Sequence, residues 1–279
     1  MNELIAQKYE SIKENYNNNK KLLWVCFIST YIFGLLAHAY GLLNNNLSHD
    51  ALNAFIATEV EEVWKIELGR FLVPAYRAIF RGSVSLPWLI GILGFFWVSL
   101  SVFLVIKLFD VKSKISTIII SALMITNITL ISQIATYVYE FDFNAFALLI
   151  SILAVYVYRK CDKRWSIVAG SLLLLVTICI YQAYISVAAA MVVLLMIKDV
   201  LEDVKLKDIF KNFVFSIIMI IGSLVLYLFV SEIIYTVPGI RQEARTNPLE
   251  TSESNIVLLY ISLFKSAGCK FSSLPRLSL

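Results

Sequence analysis

The stretch WSIVAGSLLLLVTICIYQAYISVAAAMVVLLMI, Trp165 to Ile197, decides the architecture. A single helix over its roughly 33 residues would be about 50 Å long, against a hydrocarbon core of about 30 Å. Broken at Tyr181-Gln182, it becomes two short membrane spans; unbroken, it is one long tilted helix. The two readings differ by one crossing, so they assign opposite sides to everything downstream. The basic residues choose between them. Lys107, Lys112 and Lys114 follow the second apolar run, Arg159, Lys160, Lys163 and Arg164 the fourth, and Lys198, Lys205, Lys207 and Lys211 the end of this stretch. Cytoplasmic loops concentrate Lys and Arg. With the break, all three links share a side with the N-terminal Lys8, Lys13, Lys20 and Lys21.

The rest of the chain has the same character. Of its 279 residues 59% are hydrophobic and 16% are charged, and the mean hydropathy is +0.78. Soluble domains have about 45–50% apolar and about 25% charged residues, so this is a membrane composition. The net charge of +4 is small, and no basic stripe lies outside the membrane pattern, which argues against a nucleic-acid partner. Cys26, Cys161, Cys179 and Cys269 are scattered without metal or redox spacing and read as apolar fillers. The mixed-charge start, followed by an apolar run of about 22 residues, is a cytoplasmic segment and a span rather than a signal peptide.

Apolar runs of spanning length cover residues 22–43, 86–109, 115–135, 144–158, the two halves of 165–197, and 209–234, and 255–264 begins another. The expectation is an all-α polytopic helix bundle with about seven or eight transmembrane helices. Residues 1–21 are a cytoplasmic segment, 22–264 the membrane domain, and 265–279 an irregular tail broken by Gly268, Lys270, Pro275 and Arg276. Trp24, Trp88 and Trp165 stand near span ends, where an aromatic belt is expected. His38, inside the first span, reads as a packing residue.

Residues 44–83 form the first outer loop. Ser48 suits an N-cap and Asp50 a first turn. Leu52, Phe55, Ile56, Val60 and Val63 recur at helical spacing, with Glu59, Glu61, Glu62 and Lys65 mostly on the other side. Gly69 ends this amphipathic helix, and Pro74 starts a second short one carrying Arg77 and Arg81. The topology places His49 and Asp50, the Glu140-Phe141-Asp142 link, Tyr181-Gln182, and Arg241 and Arg245 on one outer face, as a composite site. Asp50 either caps a helix or acts as a general base. Glu140 and Asp142 are interface charges or functional carboxylates. Arg70, Arg77, Arg81, Arg241 and Arg245 meet lipid headgroups or hold a phosphate. Gln182 bonds a sugar or forms a tight helix connection. Asp50 with the two other carboxylates is a conceivable divalent-metal site, but no spacing specifies one. No Gly-rich phosphate loop, zinc-type His pair or Ser/His/Asp signature is present.

The ordered set LSHDAL (47–52), LGRFLVP (68–74), YEFDF (139–143) at a span start and IYQAYIS (180–186) between two spans resembles the bacterial glucosyl transferase II family, membrane glycosyltransferases of the GT-C type. The resemblance implies an enzyme of the bacterial plasma membrane that takes glucose or a related hexose from a polyprenyl-phosphate carrier. It delivers the sugar to a surface polysaccharide, such as O-antigen or teichoic acid, on the outer face. Asp50 matches the expected catalytic base, and Arg70, Glu140 and Asp142 match positions at the donor and acceptor site. Ala51 stands where relatives often carry a second acidic residue, which weakens a metal-binding version of the site. Such enzymes are usually longer, so a C-terminally truncated or inactive fragment is a further expectation. A lipid-linked sugar transporter or flippase subunit is the rival from another class. A transporter gathers polar residues near the bilayer midplane, often in repeated halves, whereas here they gather at one face and no internal repeat is visible.

Overall fold

A computed structural model describes residues 2–44, 58–82, 85–161 and 163–236. Its α-helices are α1 (Asn2–Leu43), α2 (Thr58–Glu67), α3 (Val73–Phe80), α4 (Pro87–Leu108), α5 (Lys114–Ile125), α6 (Ile128–Thr136), α7 (Phe141–Lys160), α8 (Lys163–Ile180), α9 (Ile185–Leu201) and α10 (Leu206–Thr236). There is no strand among the described residues. Among the described residues five helical segments are long and apolar enough to cross a membrane: Asn17–Leu43, Pro87–Leu108, Val138–Lys160, Gln182–Leu201 and Leu206–Tyr235. The α5–α6 pair makes a sixth, bent by 41°, and Trp165–Ile180 is a shorter apolar helix between the third and fourth long ones. The chain is an all-α polytopic membrane bundle. The beginning of the eighth apolar run, at 255–264, lies outside the described residues.

The long stretch 165–197 does break at Tyr181. That residue is extended (φ −157°, ψ 114°), a 3₁₀ turn follows over Gln182–Tyr184, and α9 then begins. Two expectations need correcting. The third apolar run is not one straight helix. Asn127 caps α6 by accepting a hydrogen bond from the Leu130 N–H at 3.0 Å, which starts a new helix inside the run. The break leaves carbonyls at the end of α5 without helical partners, and His38 Nε2 from α1 is 2.8 Å from the Ile125 oxygen. His38 thus packs and also caps. The second correction concerns the fourth span, which starts earlier than residue 144. Its helical segment runs from Val138 and takes Glu140 and Asp142 inside the bundle.

α7 is the central element. In its most apolar window 72% of residues are buried, against 17% in α10, so α7 is walled by protein while α10 is largely uncovered among the described residues. It packs against α4, α8 and α9; α4 in turn packs on α1, and α8 on α10. Lipid tails are as apolar as Leu, so such helices associate through close packing and hydrogen bonds rather than hydrophobic burial. The contacts accordingly use small residues: Gly94, Ser99 and Ser101 on α4, and Ala145, Ala147, Ser151 and Ala154 on α7. The Ser99 and Ser101 hydroxyls donate to carbonyls four residues back, at 2.7 and 2.9 Å. A Cβ on Gly94 would overlap the Phe141 ring, which stands edge-on to Phe95.

Contacts along α7 fix two ends. At its C-terminal turn Arg159 meets Asp199 at 2.6 Å, and Asp110 receives Lys198 at 2.6 Å and Lys160 at 3.6 Å. Lys198 holds the Asp110 carboxyl below its ordinary range. The basic links therefore cluster at one end of the bundle, and the start of α7 lies at the other.

Gly94→Ala should overpack the α4–α7 contact, at a cost of about 1–3 kcal/mol. In detergent its unfolding midpoint should fall, and Gly94→Ala with Phe141→Leu should recover most of the loss. An unchanged midpoint for the single variant would contradict the close approach.

Candidate functional site

The site begins with how α2 ends. Gly69 has φ +77°, a conformation that glycine adopts without penalty. Its N–H donates to the Ile66 carbonyl at 2.8 Å, and the Arg70 N–H donates to the Lys65 carbonyl at 2.8 Å. This is the paired-bond C-terminal stop known as a Schellman motif. It fixes Lys65 and Arg70 to each other on either side of the glycine. The motif usually brings an apolar pair together at these two positions; here two cations converge on one carboxylate.

That carboxylate is Glu140. Lys65 Nζ lies in direct ionic contact with Oε1, Arg70 Nη1 stands 3.4 Å from both oxygens, and Asn144 Nδ2 is 3.4 Å from Oε2. Lys65 and Glu140 are both buried. The Arg70 guanidinium lies 4.2 Å from the centroid of the Tyr181 ring, a cation–π stack that orients it independently of Glu140. Its Nε is buried without a hydrogen-bond acceptor.

The loop is held from below by helices that contribute no charge. The last carbonyls of α2 need partners from outside the helix. Gln182 Nε2 donates to the Leu68 oxygen at 2.9 Å, and the Tyr227 hydroxyl donates to the Gly69 oxygen at 3.3 Å. Tyr235 donates its hydroxyl to the Glu67 oxygen at 3.0 Å. In return the Leu72 N–H donates to the Cys179 carbonyl, left open at the end of α8, at 2.9 Å. Phe71 packs between the rings of Tyr227 and Tyr235.

A second ionic group lies deeper. Asp142 is fully buried, with its Oδ2 2.8 Å from Arg81 Nε. Arg81 also donates through Nη2 to the Tyr139 carbonyl at 2.8 Å. Arg77, on α3, is 1% exposed and close enough to act on Asp142 electrostatically. The Tyr76 hydroxyl accepts a hydrogen bond from Trp97 Nε1 at 2.8 Å. Burial, and after it the Asp142 charge, hold this hydroxyl above its ordinary range, so it stays protonated.

Of the residues singled out by sequence, Arg70, Glu140 and Tyr181 thus form one contact group. Gln182 adjoins it through Leu68 and Tyr227, and Asp142 belongs to the neighbouring buried pair. His49, Asp50, Arg241 and Arg245 lie outside the described residues. No group of three His, Cys, Asp or Glu side chains with metal-site geometry occurs among the described residues. Lys65 is the main correction: the helical pattern assigns it to the polar side of α2, yet it is 3% exposed. The available signal was its position four residues before a helix-ending glycine. Asn144 and Tyr227 carried no such signal.

Asp142→Ala should break a buried ion pair, at a cost of about 3–5 kcal/mol. Adding Arg81→Met should return much of that in an unfolding titration. A double variant no more stable than Asp142→Ala would contradict the pairing.

The family model described as glucosyl transferase GtrII matches residues 39–267. No curated protein and no solved structure matches the chain. The matched region contains the break at Tyr181, the Gly69 turn and every residue of the ionic cluster, and it spans most of the sequence. The chain belongs to the glucosyl transferase GtrII family.

Proposed function

We propose that this glucosyl transferase takes glucose from a polyprenyl-phosphate carrier and places it on a cell-surface polysaccharide at the outer face of the bacterial plasma membrane. The observation that carries the reading is Arg70. A guanidinium stacked on Tyr181, with an unpartnered buried Nε and only long contacts to Glu140, is a fork held ready for an anion. Arg geometry suits phosphate oxygens.

The chemistry fits that placement. The acceptor hydroxyl oxygen attacks the anomeric carbon, and the bond from that carbon to the phosphate oxygen breaks with inversion. The leaving lipid phosphate takes the electron pair, and Asp50 takes the hydroxyl proton. A phosphodiester with one negative charge becomes a monoester with nearly two. An arginine at the phosphate therefore binds the departing group more strongly than the substrate, which is what lowers a barrier. The orientation is supported by the basic links, which cluster at the end of the bundle opposite Arg70 and would be cytoplasmic. The placement of the Glu140 and Asp142 groups at the start of α7, and not along its middle, also favours an enzyme over a transporter with a midplane site.

The test is transfer of labelled glucose to surface glycan in cells lacking the protein, complemented at matched expression. Asp50→Asn should lower transfer by about 10²–10⁴-fold, and Arg70→Gln by about 10²–10³-fold. Full transfer by Asp50→Asn would remove that residue from the mechanism. Full transfer by Arg70→Gln would remove the phosphate site from Arg70.

A further inference from the structure

We infer that Glu140 stands in for the donor phosphate on Arg70 when the site is empty, and that it drives the product phosphate off again after transfer. The inference rests on the reading of Arg70 as the phosphate ligand, and adds to it a residue that competes for that ligand. Four features of the geometry point to it. Glu140 is held unequally, in direct contact with Lys65 but 3.4 Å from Arg70. Arg70 is oriented by the Tyr181 ring, so it keeps its position when Glu140 lets go. The Arg70 Nε, already lacking an acceptor, is a donor that Glu140 does not satisfy and an incoming phosphate oxygen can. Finally, Glu140 released from Arg70 does not become a lone buried charge, because Lys65 and Asn144 remain on it.

The arrangement works as an exchange of anions on one cation. A buried guanidinium without a counter-charge is costly, so an empty site needs an internal anion. If that anion bound Arg70 tightly, the donor could not displace it. Long contacts on Arg70 and a close one on Lys65 meet both requirements. Because Lys65 and Arg70 are locked together by the Gly69 turn, Glu140 can shift its weight from one to the other without movement of the loop. After transfer the lipid phosphate carries more negative charge and holds Arg70 more strongly. The return of Glu140 then assists its release.

The test compares the full chain with Glu140→Gln, Lys65→Met/Glu140→Gln and Arg70→Gln, reconstituted in lipid nanodiscs. Binding of polyprenyl phosphate is measured directly, and kcat and KM are measured for the lipid-linked glucose donor. Glu140→Gln should bind polyprenyl phosphate about tenfold more tightly, equivalent to ~1.4 kcal/mol. It should lower the donor KM and lower kcat together, because product leaves more slowly. A purely structural Glu140 would instead give weaker binding and a higher KM. If Glu140→Gln does not fold, the double variant, which removes both members of the close pair, should show the same tightening. Wild-type binding that neither variant tightens overturns the exchange while leaving Arg70 as the phosphate ligand. Equal binding by wild type and Arg70→Gln, or no binding by any of the proteins, overturns the phosphate reading and the exchange with it.

Discussion

A carboxylate buried between two cations at the end of a membrane bundle is the contact on which the rest of this structure depends. Glu140 joins the end of α2, the loop after Gly69 and the start of α7. Any one of its three charges, left alone at that depth, would be expensive. Together they let the fourth span begin inside the protein and bring the loop helix down onto the bundle. Asp142 with Arg81 repeats the device two residues further on, so that both acidic residues of the YEFDF stretch are compensated.

The uncharged parts of the site hold this cluster in register. Gly69 allows the turn that sets Lys65 against Arg70, and Gln182, Tyr227 and Tyr235 take up the carbonyls that the turn exposes. Two of those three residues lie on α10, the least buried of the five long apolar segments among the described residues. The break at Tyr181 thus does more than reverse the chain. It puts an aromatic face under Arg70 and an amide against the loop in consecutive residues.

Much of this could be read from the sequence because the features concerned are local. The length of 165–197 forces a break, Gly69 and Pro74 punctuate the loop, and the basic links gather at one end of the bundle. The family motifs pointed to Arg70, Glu140 and Asp142, and the topology put Tyr181-Gln182 on the same face as the two carboxylates. What could not be read depends on partners distant in sequence. Hydropathy weighs Glu140 and Asp142 alone and so ends the span at residue 144, whereas their cations from the first loop carry the helix back to Phe141. The same blindness left Lys65 on the polar side of α2. The bend at Asn127 is hidden because a single polar residue scarcely lowers the apolar average of its run. Asp50 and His49 lie outside the described residues, so their proposed roles still rest on the motif and on the family.

A lipid phosphate held by Arg70, at the end of the bundle opposite the basic links, would be seen in a structure of the chain in nanodiscs with polyprenyl phosphate bound. Phosphate oxygens should then lie within hydrogen-bonding distance of Arg70, with the guanidinium still stacked on Tyr181 and Glu140 retained by Lys65 and no longer by Arg70. A phosphate bound elsewhere, with Arg70 still facing Glu140, would contradict that placement.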